Sequence, residues 1–431
     1  SHVEPGQNVW VDIDILMTHD VCGPGTIGVF HEHFGRQAKV WDAKKVVIIP
    51  DHYIFTADPK AHRNVDVLRR FVTEQGLPHY YDPDFLKGEG MPTPYSDPSG
   101  TSYKGVCHTV LAELGHTRPG EVLLGTDSHT CTAGAFGEFA TGIGNTEAGF
   151  VLGTGKLWLK VPASLRFVLE GAWPPYLMAK DVILRIIGQI GVDGAAYRAM
   201  ELTGDGVAGT IMDERMTLCN MVVEAGAKNG IIAADEVTVR FVRARTNEPF
   251  ECFQSDPDAR YFGEHRYELP RIEPLVAQPH SPDRVAPARE LSGTKIDRAY
   301  LGSCTGGKMA DFEAAARVLY GRSTRVETFC VPANTHIDAE LSRRTYRGKS
   351  LRQVFLDAGC RMAPASCAAC LGGPDDTFGR VDSPIRVISS TNRNFPGRMG
   401  CPDAEIFLAS PMTVAASAVN GYITDPREML Q

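Results

Sequence analysis

Short apolar, β-branched runs that end in polar residues recur along the chain and alternate with stretches of helical spacing. Val11 to Met17, Lys44 to Ile49, Glu121 to Gly125, Lys295 to Leu301, Val326 to Val331 and Ile385 to Ile388 are such runs. Continuous apolar strands of this length suit parallel sheet covered on both faces. Between them, Val65, Leu68 and Val72 mark one face of a helix over 61–75. A helix over 176–190 points Val182, Ile183, Ile186, Ile187 and Ile190 inward and Lys180, Arg185 and Gln189 outward. Further helices are predicted through Val110, Leu111 and Leu114, and over 216–228, 309–320 and 351–359. This alternation predicts an α/β fold.

Two stretches break the alternation. Residues 81–100, rich in Pro, Gly and Asp, read as a loop, and 243–292, with Pro270, Pro274, Pro279, Pro282 and Pro287, as a semi-rigid connector. The small-residue run from Gly134 to Gly155 carries neither a Gly-x-Gly-x-x-Gly nor a Gly-Lys-Ser/Thr after a strand. Close backbone packing is its expected reason.

Composition narrows the class. A chain of 431 residues exceeds one ordinary core, and 43% hydrophobic with 22% charged residues describes a globular protein. The net charge of −8, with no basic cluster beyond isolated pairs such as Arg69-Arg70 and Arg343-Arg344, argues against a nucleic-acid footprint and an RNA-binding regulator. No apolar run reaches the roughly 18 residues of a membrane span. Eleven cysteines, an odd number without a secretory signal, read as reduced thiols in the cytoplasm.

The candidate chemistry sits after the strands. Ligands in open α/β sheets bind beyond the carboxyl ends of strands. Thr18-His19-Asp20, Asp51-His52 and Asp127-Ser128-His129 all fall there, with His108 between the second and third sets. One His after a strand is more often structural than catalytic; this repetition argues for a shared site. Asn220 and Glu224, four apart on a predicted helix, share a face that is ordinarily a solvated one. Asn392, Arg393 and Arg398 follow the last run, and Arg presents a planar fork matched to carboxylate.

Cys304, in Gly302-Ser303-Cys304-Thr305, and Cys367-x-x-Cys370 can place three thiolates around one soft metal centre with its fourth corner open. On the cysteines alone, a zinc site using Cys360, Cys367, Cys370 and Cys401, a redox pair and ordinary buried thiols stay open. A Lewis acid beside paired carboxylates and imidazoles suits non-redox loss or gain of water on a hydroxy polycarboxylic acid.

Taken in order, Thr18-His19-Asp20, Pro50-Asp51-His52, Gly105-Val106-Cys107-His108, Gly125 to Thr130, Cys219-Asn220-Met221 with Glu224, Gly302 to Thr305, Cys367 to Cys370, and Asn392-Arg393-Asn394 with Gly397-Arg398 resemble the motifs of the aconitase superfamily. Within it they are most like the large-subunit branch of the isopropylmalate dehydratases. The resemblance implies three α/β/α domains around a [4Fe-4S] cluster, over 1–162, 163–290 and 291–431. It implies cluster ligation by Cys304, Cys367 and Cys370 with one iron open to substrate, and Asn220 and Asn392 beside the cluster. Proton-handling pairs fall on Asp51 with His52, Asp127 with His108, and Glu224 with His129; Arg393 and Arg398 would take carboxylate, with Ser128 and His19 lining the pocket.

Two departures from the family pattern matter. The family's swivelling domain carries a Gly-Ser-Ser-Arg segment that this chain lacks, so a separate small subunit is expected to complete the site. Gly306-Gly307 and Ala368-Ala369 replace common residues around the cysteines. 3-Isopropylmalate is the substrate the resemblance implies first, with homoaconitate and 2,3-dimethylmalate as the alternatives.

Overall fold

The structure, a computed structural model, describes residues 3–84 and 98–430, so the loop predicted over 81–100 lies largely outside the described residues. The run from Val11 to Met17 is two strands rather than one: β1 (Asn8–Asp12) and β2 (Ile15–Thr18). The Asp14 carboxylate between them accepts from the Val122 amide at 3.0 Å, ending one pairing and starting another. β2 joins β3 (Val46–Ile48), β4 (His79–Tyr80), β5 (Val122–Gly125) and β6 (Phe139–Gly142) in an all-parallel sheet of order β4-β3-β2-β5-β6. β1 instead pairs antiparallel with β7 (Lys156–Lys160) as a separate ribbon.

A second parallel sheet contains β8 (Ala163–Glu170), β9 (Arg198–Thr203), β10 (Asn229–Ile231) and β11 (Gly263–Glu268), in the order β10-β9-β8-β11. The third is built from β12 (Leu275–Ala277), β13 (Val285–Pro287), β14 (Arg298–Leu301), β15 (Glu327–Cys330), β18 (Arg361–Met362), β19 (Arg386–Ser389) and β20 (Glu405–Ala409), with a short hairpin of β16 (Thr345–Tyr346) and β17 (Lys349–Ser350) outside it. Its order is β13-β12-β20-β19-β14-β15-β18, parallel from β20 to β18 and antiparallel at the β12-β13 edge. The stretch 243–292 is thus not a plain connector, since it supplies β11 to the second sheet and β12 and β13 to the third.

Helices follow the expected periodicities with two corrections. The helix Pro59–Gln75 starts where Asp58 accepts from the Lys60 amide and ends at left-handed Gly76; it buries Val65, Leu68 and Phe71, while Val72 is half-buried. The helix Ala179–Ile190 buries Val182, Ile183, Ile186 and Ile187 completely, worth roughly 1.5–3 kcal/mol per side chain. Lys180 on this helix is buried too, contrary to the outward position its spacing suggests. The helix predicted over 216–228 is Met212–Asn220 followed by a tighter 3-10 segment, Met221–Ala225, closed by left-handed Gly226. Close packing does explain the small-residue run: a Cβ on Gly134 would stand 1.7 Å from the Gly230 carbonyl oxygen.

Candidate active site

The loops after β2, β3 and β5 bring His19, Asp51, His52, Asp127, Ser128 and His129 together. Asp20 fixes the second loop, its carboxylate accepting from the amides of Asp51, His52 and Tyr53 at 2.8, 3.0 and 2.7 Å. His52 donates from Nδ1 to Asp51 at 2.6 Å, and Asp51 also accepts from the Cys107 amide at 2.7 Å. Burial opposes charge on His52, but the Asp51 carboxylate overrides it and lifts the imidazole to about 10. That bond leaves His52 Nε2 aimed at Asp127, 3.9 Å away. The His19 ring lies 4.5 Å from that of His52; burial, and then the charge on His52, push His19 down.

Asp127 is the hub of the next layer. It bonds His108 Nε2 at 2.9 Å and the His129 amide at 2.7 Å. Burial works against its charge, yet the two imidazoles hold the carboxyl well below its usual range. His129 Nε2 reaches Glu224 at 2.8 Å, and Arg393 Nε donates to both Glu224 oxygens at 2.8 and 3.0 Å. Burial again opposes the charge, and the bonds to Asp127 and Glu224 lift His129 to about 9. Glu224 and Asn220 are 4% and 0% exposed, so the solvated-face reading of that pair is wrong. The switch to 3-10 geometry and packing against the segment Ser128–Phe136 bury them.

The cysteine trio lies together with Val106 in one buried cluster. Ser303 holds a left-handed φ of 73°, a conformation uncommon without glycine, at the turn that delivers Cys304 after β14. Cys367 and Cys370 Sγ stand 3.0 Å apart, Cys304 shares a sulfur hydrogen bond with Cys367, and all eleven cysteines are free. That bond holds the Cys304 thiol well below its usual range. Asn220 and Asn392 aim Nδ2 at Cys304 Sγ from 3.1 and 3.5 Å. Cys360 and Cys401 lie outside this cluster, Cys360 in a separate core beside Cys330, so the four-cysteine zinc set is not assembled.

These residues fit a soft metal cluster. Two amide donors face the Cys304 sulfur, and among the described residues His19 Nε2, His108 Nδ1, Asn392 Oδ1 and Arg398 Nε are buried without a hydrogen-bond partner. A cavity of about 760 Å³ is lined by His19, His52, Asp127, Ser128, Arg393 and Arg398. His19, Asp20, Asp51 and His52 also lie close enough to share an ion, but Asp20 is committed to three amides and Asp51 to His52 and Cys107.

Sequence reasoning missed two buried ammoniums that hold the loops carrying Cys304 and Asn392. Lys308 donates to the carbonyls of Cys304 and Thr305 and pairs with Asp311 at 3.0 Å. Lys180 donates to the carbonyls of Ser390 and Thr391, just before Asn392 and Arg393; burial and the charge of Lys308 lower it to about 7. The available signal for Lys180 was its place in an otherwise apolar stretch, Leu177 to Leu184, broken only by Lys180 and Asp181.

Known proteins share this arrangement of sequence. The family model described as aconitase family (aconitate hydratase) matches residues 2–421. The 3-isopropylmalate dehydratase large subunit, chloroplastic, of Arabidopsis thaliana is 55% identical over 437 residues, covering 100% of this chain and 84% of that protein. The 3-isopropylmalate dehydratase large subunit 1 of Methanopyrus kandleri is 42% identical over 99% of this chain and 96% of its own length. The corresponding large subunit of Aquifex aeolicus is 38% identical over 100% and 95%. With the motifs in order, the strand-end loops converged on one cleft and relatives matched along the whole chain, this protein belongs to the aconitase family.

Proposed function

We propose that the chain is the large catalytic subunit of a two-subunit hydro-lyase that moves a hydroxyl between neighbouring carbons by loss and re-addition of water, with 3-isopropylmalate, of leucine biosynthesis, as substrate. The contact chain His108–Asp127–His129–Glu224–Arg393 carries this reading: Asp127 and Arg393 line the cavity, and the charges of His108, His129 and Asp127 act on the buried Cys304 thiol behind it. Cys304, Cys367 and Cys370 would hold a [4Fe-4S] cluster with one open iron, which when bound supplies Lewis-acid polarisation of a substrate hydroxyl. Arg393 and Arg398 line the cavity and bind carboxylate, Arg398 with its unpaired Nε. His52, kept protonated by Asp51, donates a proton from Nε2 to the departing hydroxyl. His108 keeps Nδ1 buried and without a hydrogen-bond partner among the described residues, while Asp127 fixes its tautomer through Nε2. Ser128 and His19 position the substrate, and Asn220 and Asn392 orient the Cys304 sulfur.

The base that takes the carbon-bound proton belongs, in this reading, to the small subunit carrying the swivelling domain; the "large subunit" names of the relatives support such a partner. Division of this chain near residues 162 and 290 belongs to the same proposal, with β12 and β13 crossing from the second segment to the third sheet. So does a cytoplasmic setting, which suits eleven free thiols and a chain in which no described helix is long and apolar enough to cross a membrane. Turnover of 3-isopropylmalate, homoaconitate and 2,3-dimethylmalate by the chain with and without a small subunit tests the reading. Fast turnover of 3-isopropylmalate only with the partner is expected; robust turnover by the chain alone, or on none of the three with it, sinks it.

A further inference from the structure

The β1-β7 ribbon presents two indoles to solvent. Its register sets Trp10 directly opposite Trp158, and they are 72% and 59% exposed. The period of two puts Asn8, Trp10 and Asp12 with Lys156, Trp158 and Lys160 on the outer face, while Val11 and Leu157 pack against the first sheet's core. No described element covers that outer face. Paired, exposed tryptophans with a polar surround have the composition of an interface centre, where Trp is enriched and charges ring the rim.

The ribbon also borders the active-site cavity. Leu157, Trp158 and Tyr197 line one part of it, and His52, Asp127 and Arg398 another. Beside Tyr197 the rim is cationic, with the ammoniums of Lys160 and Lys228 4.8 and 5.1 Å from the centre of its ring; elsewhere Lys156 pairs with Asp12 at 3.1 Å and Glu147 adds a carboxylate to the lining. A surface seated on the ribbon therefore also closes the mouth of the cleft. We propose that the Trp10–Trp158 ribbon is the docking surface for the small subunit, which meets it with an apolar patch flanked by carboxylates. This rests on the two-subunit reading above.

The test titrates the purified small subunit against the full chain and its variants, reading affinity by sedimentation or surface binding and activity at saturation. Trp10→Ala with Trp158→Ala is expected to weaken association about tenfold or more, and Trp10→Ala alone, at a residue outside the cavity lining, to weaken it severalfold with kcat recovered at saturating small subunit. Lys160→Glu, which leaves both indoles in place, is expected to weaken it further as salt is lowered, and Leu356→Ala, at an exposed apolar site elsewhere, to change nothing. Affinities within twofold of the parent for the paired-tryptophan and Lys160→Glu variants overturn the proposal. So does loss of self-association with small-subunit binding intact, which would assign the ribbon to a second copy of this chain. If the unmutated chain binds no small subunit, the two-subunit reading itself fails. In the unmutated complex, tryptophan emission that stays as quenchable by acrylamide as in the lone chain also overturns the proposal, whatever the variants do.

Discussion

The amide of Cys367 donates to the carbonyl oxygen of Asp51 at 3.0 Å, fastening the Cys-x-x-Cys loop to the loop after β3. Asp51 thereby meets two parts of the site at once, its backbone on a thiol loop and its carboxylate on His52 and the Cys107 amide. The cysteine loop and the Asp51–His52 loop are consequently built on shared backbone.

Substitution of the trio separates cluster ligands from other thiols. Cys304→Ser, Cys367→Ser or Cys370→Ser should lower bound iron and acid-labile sulfide after anaerobic reconstitution, whereas Cys360→Ser and Cys401→Ser should leave both near parent levels. Zinc without sulfide in the parent protein would reject the cluster.

Glu224→Gln removes the carboxylate that both His129 and Arg393 contact. A fall in kcat of about 10²–10⁴-fold is expected, with iron content unchanged. Parent-like kcat would show that the Glu224–His129 pair is structural.

Arg398→Lys keeps the charge and loses the fork. With Nε buried and unpaired among the described residues, the change should raise KM for 3-isopropylmalate by about tenfold or more while leaving the thermal midpoint within a degree or two. An unaltered KM removes Arg398 from the site.

Lys180→Met leaves the carbonyls of Ser390 and Thr391 without their buried donor. The cost is expected at about 1–3 kcal/mol, with kcat reduced through displacement of Asn392 and Arg393. Denaturant unfolding and kcat measured together check it; unchanged kcat would confine Lys180 to stability.

His116 gives a pH dependence remote from the cysteine loops. Burial, then the charges of His79 and Arg118, push it down to about 3, and its Nε2 lies 2.6 Å from the Tyr81 hydroxyl. Because the folded pKa lies below the unfolded value, the unfolded chain takes up the extra proton. Stability is unaffected above pH 6.5 and falls as pH drops from there towards 3, by up to about 1.4 kcal/mol per unit. Unfolding free energies from pH 7 to 4 should show a shallower acid slope for His116→Leu than for the parent.

Much of this site was legible because fully buried parallel strands are continuous apolar runs, so the polar residues after them stand out. Asp51, Asp127 and Cys304 were found that way. Lys180 was not, since helical spacing reports one face while this helix is covered on the face carrying Lys180 as well, by the loop after β19. The break after Asn220 escaped notice because Met221 to Val223 are apolar in either helix geometry. β11 to β13 were hidden in a proline-rich stretch, because their strand character comes from partners far along the chain, β8 and β20.

Asp20 complicates any mutational scan of this cleft. Its carboxylate is spent on three consecutive amides. An alanine there would silence the enzyme as thoroughly as loss of a proton donor, and the dead variant would pass for a chemical knockout. Asparagine distinguishes the two: one oxygen would still orient the amides of Asp51 and His52 while the Tyr53 contact is lost, so partial activity with an unshifted pH profile marks Asp20 as a scaffold pin rather than a participant.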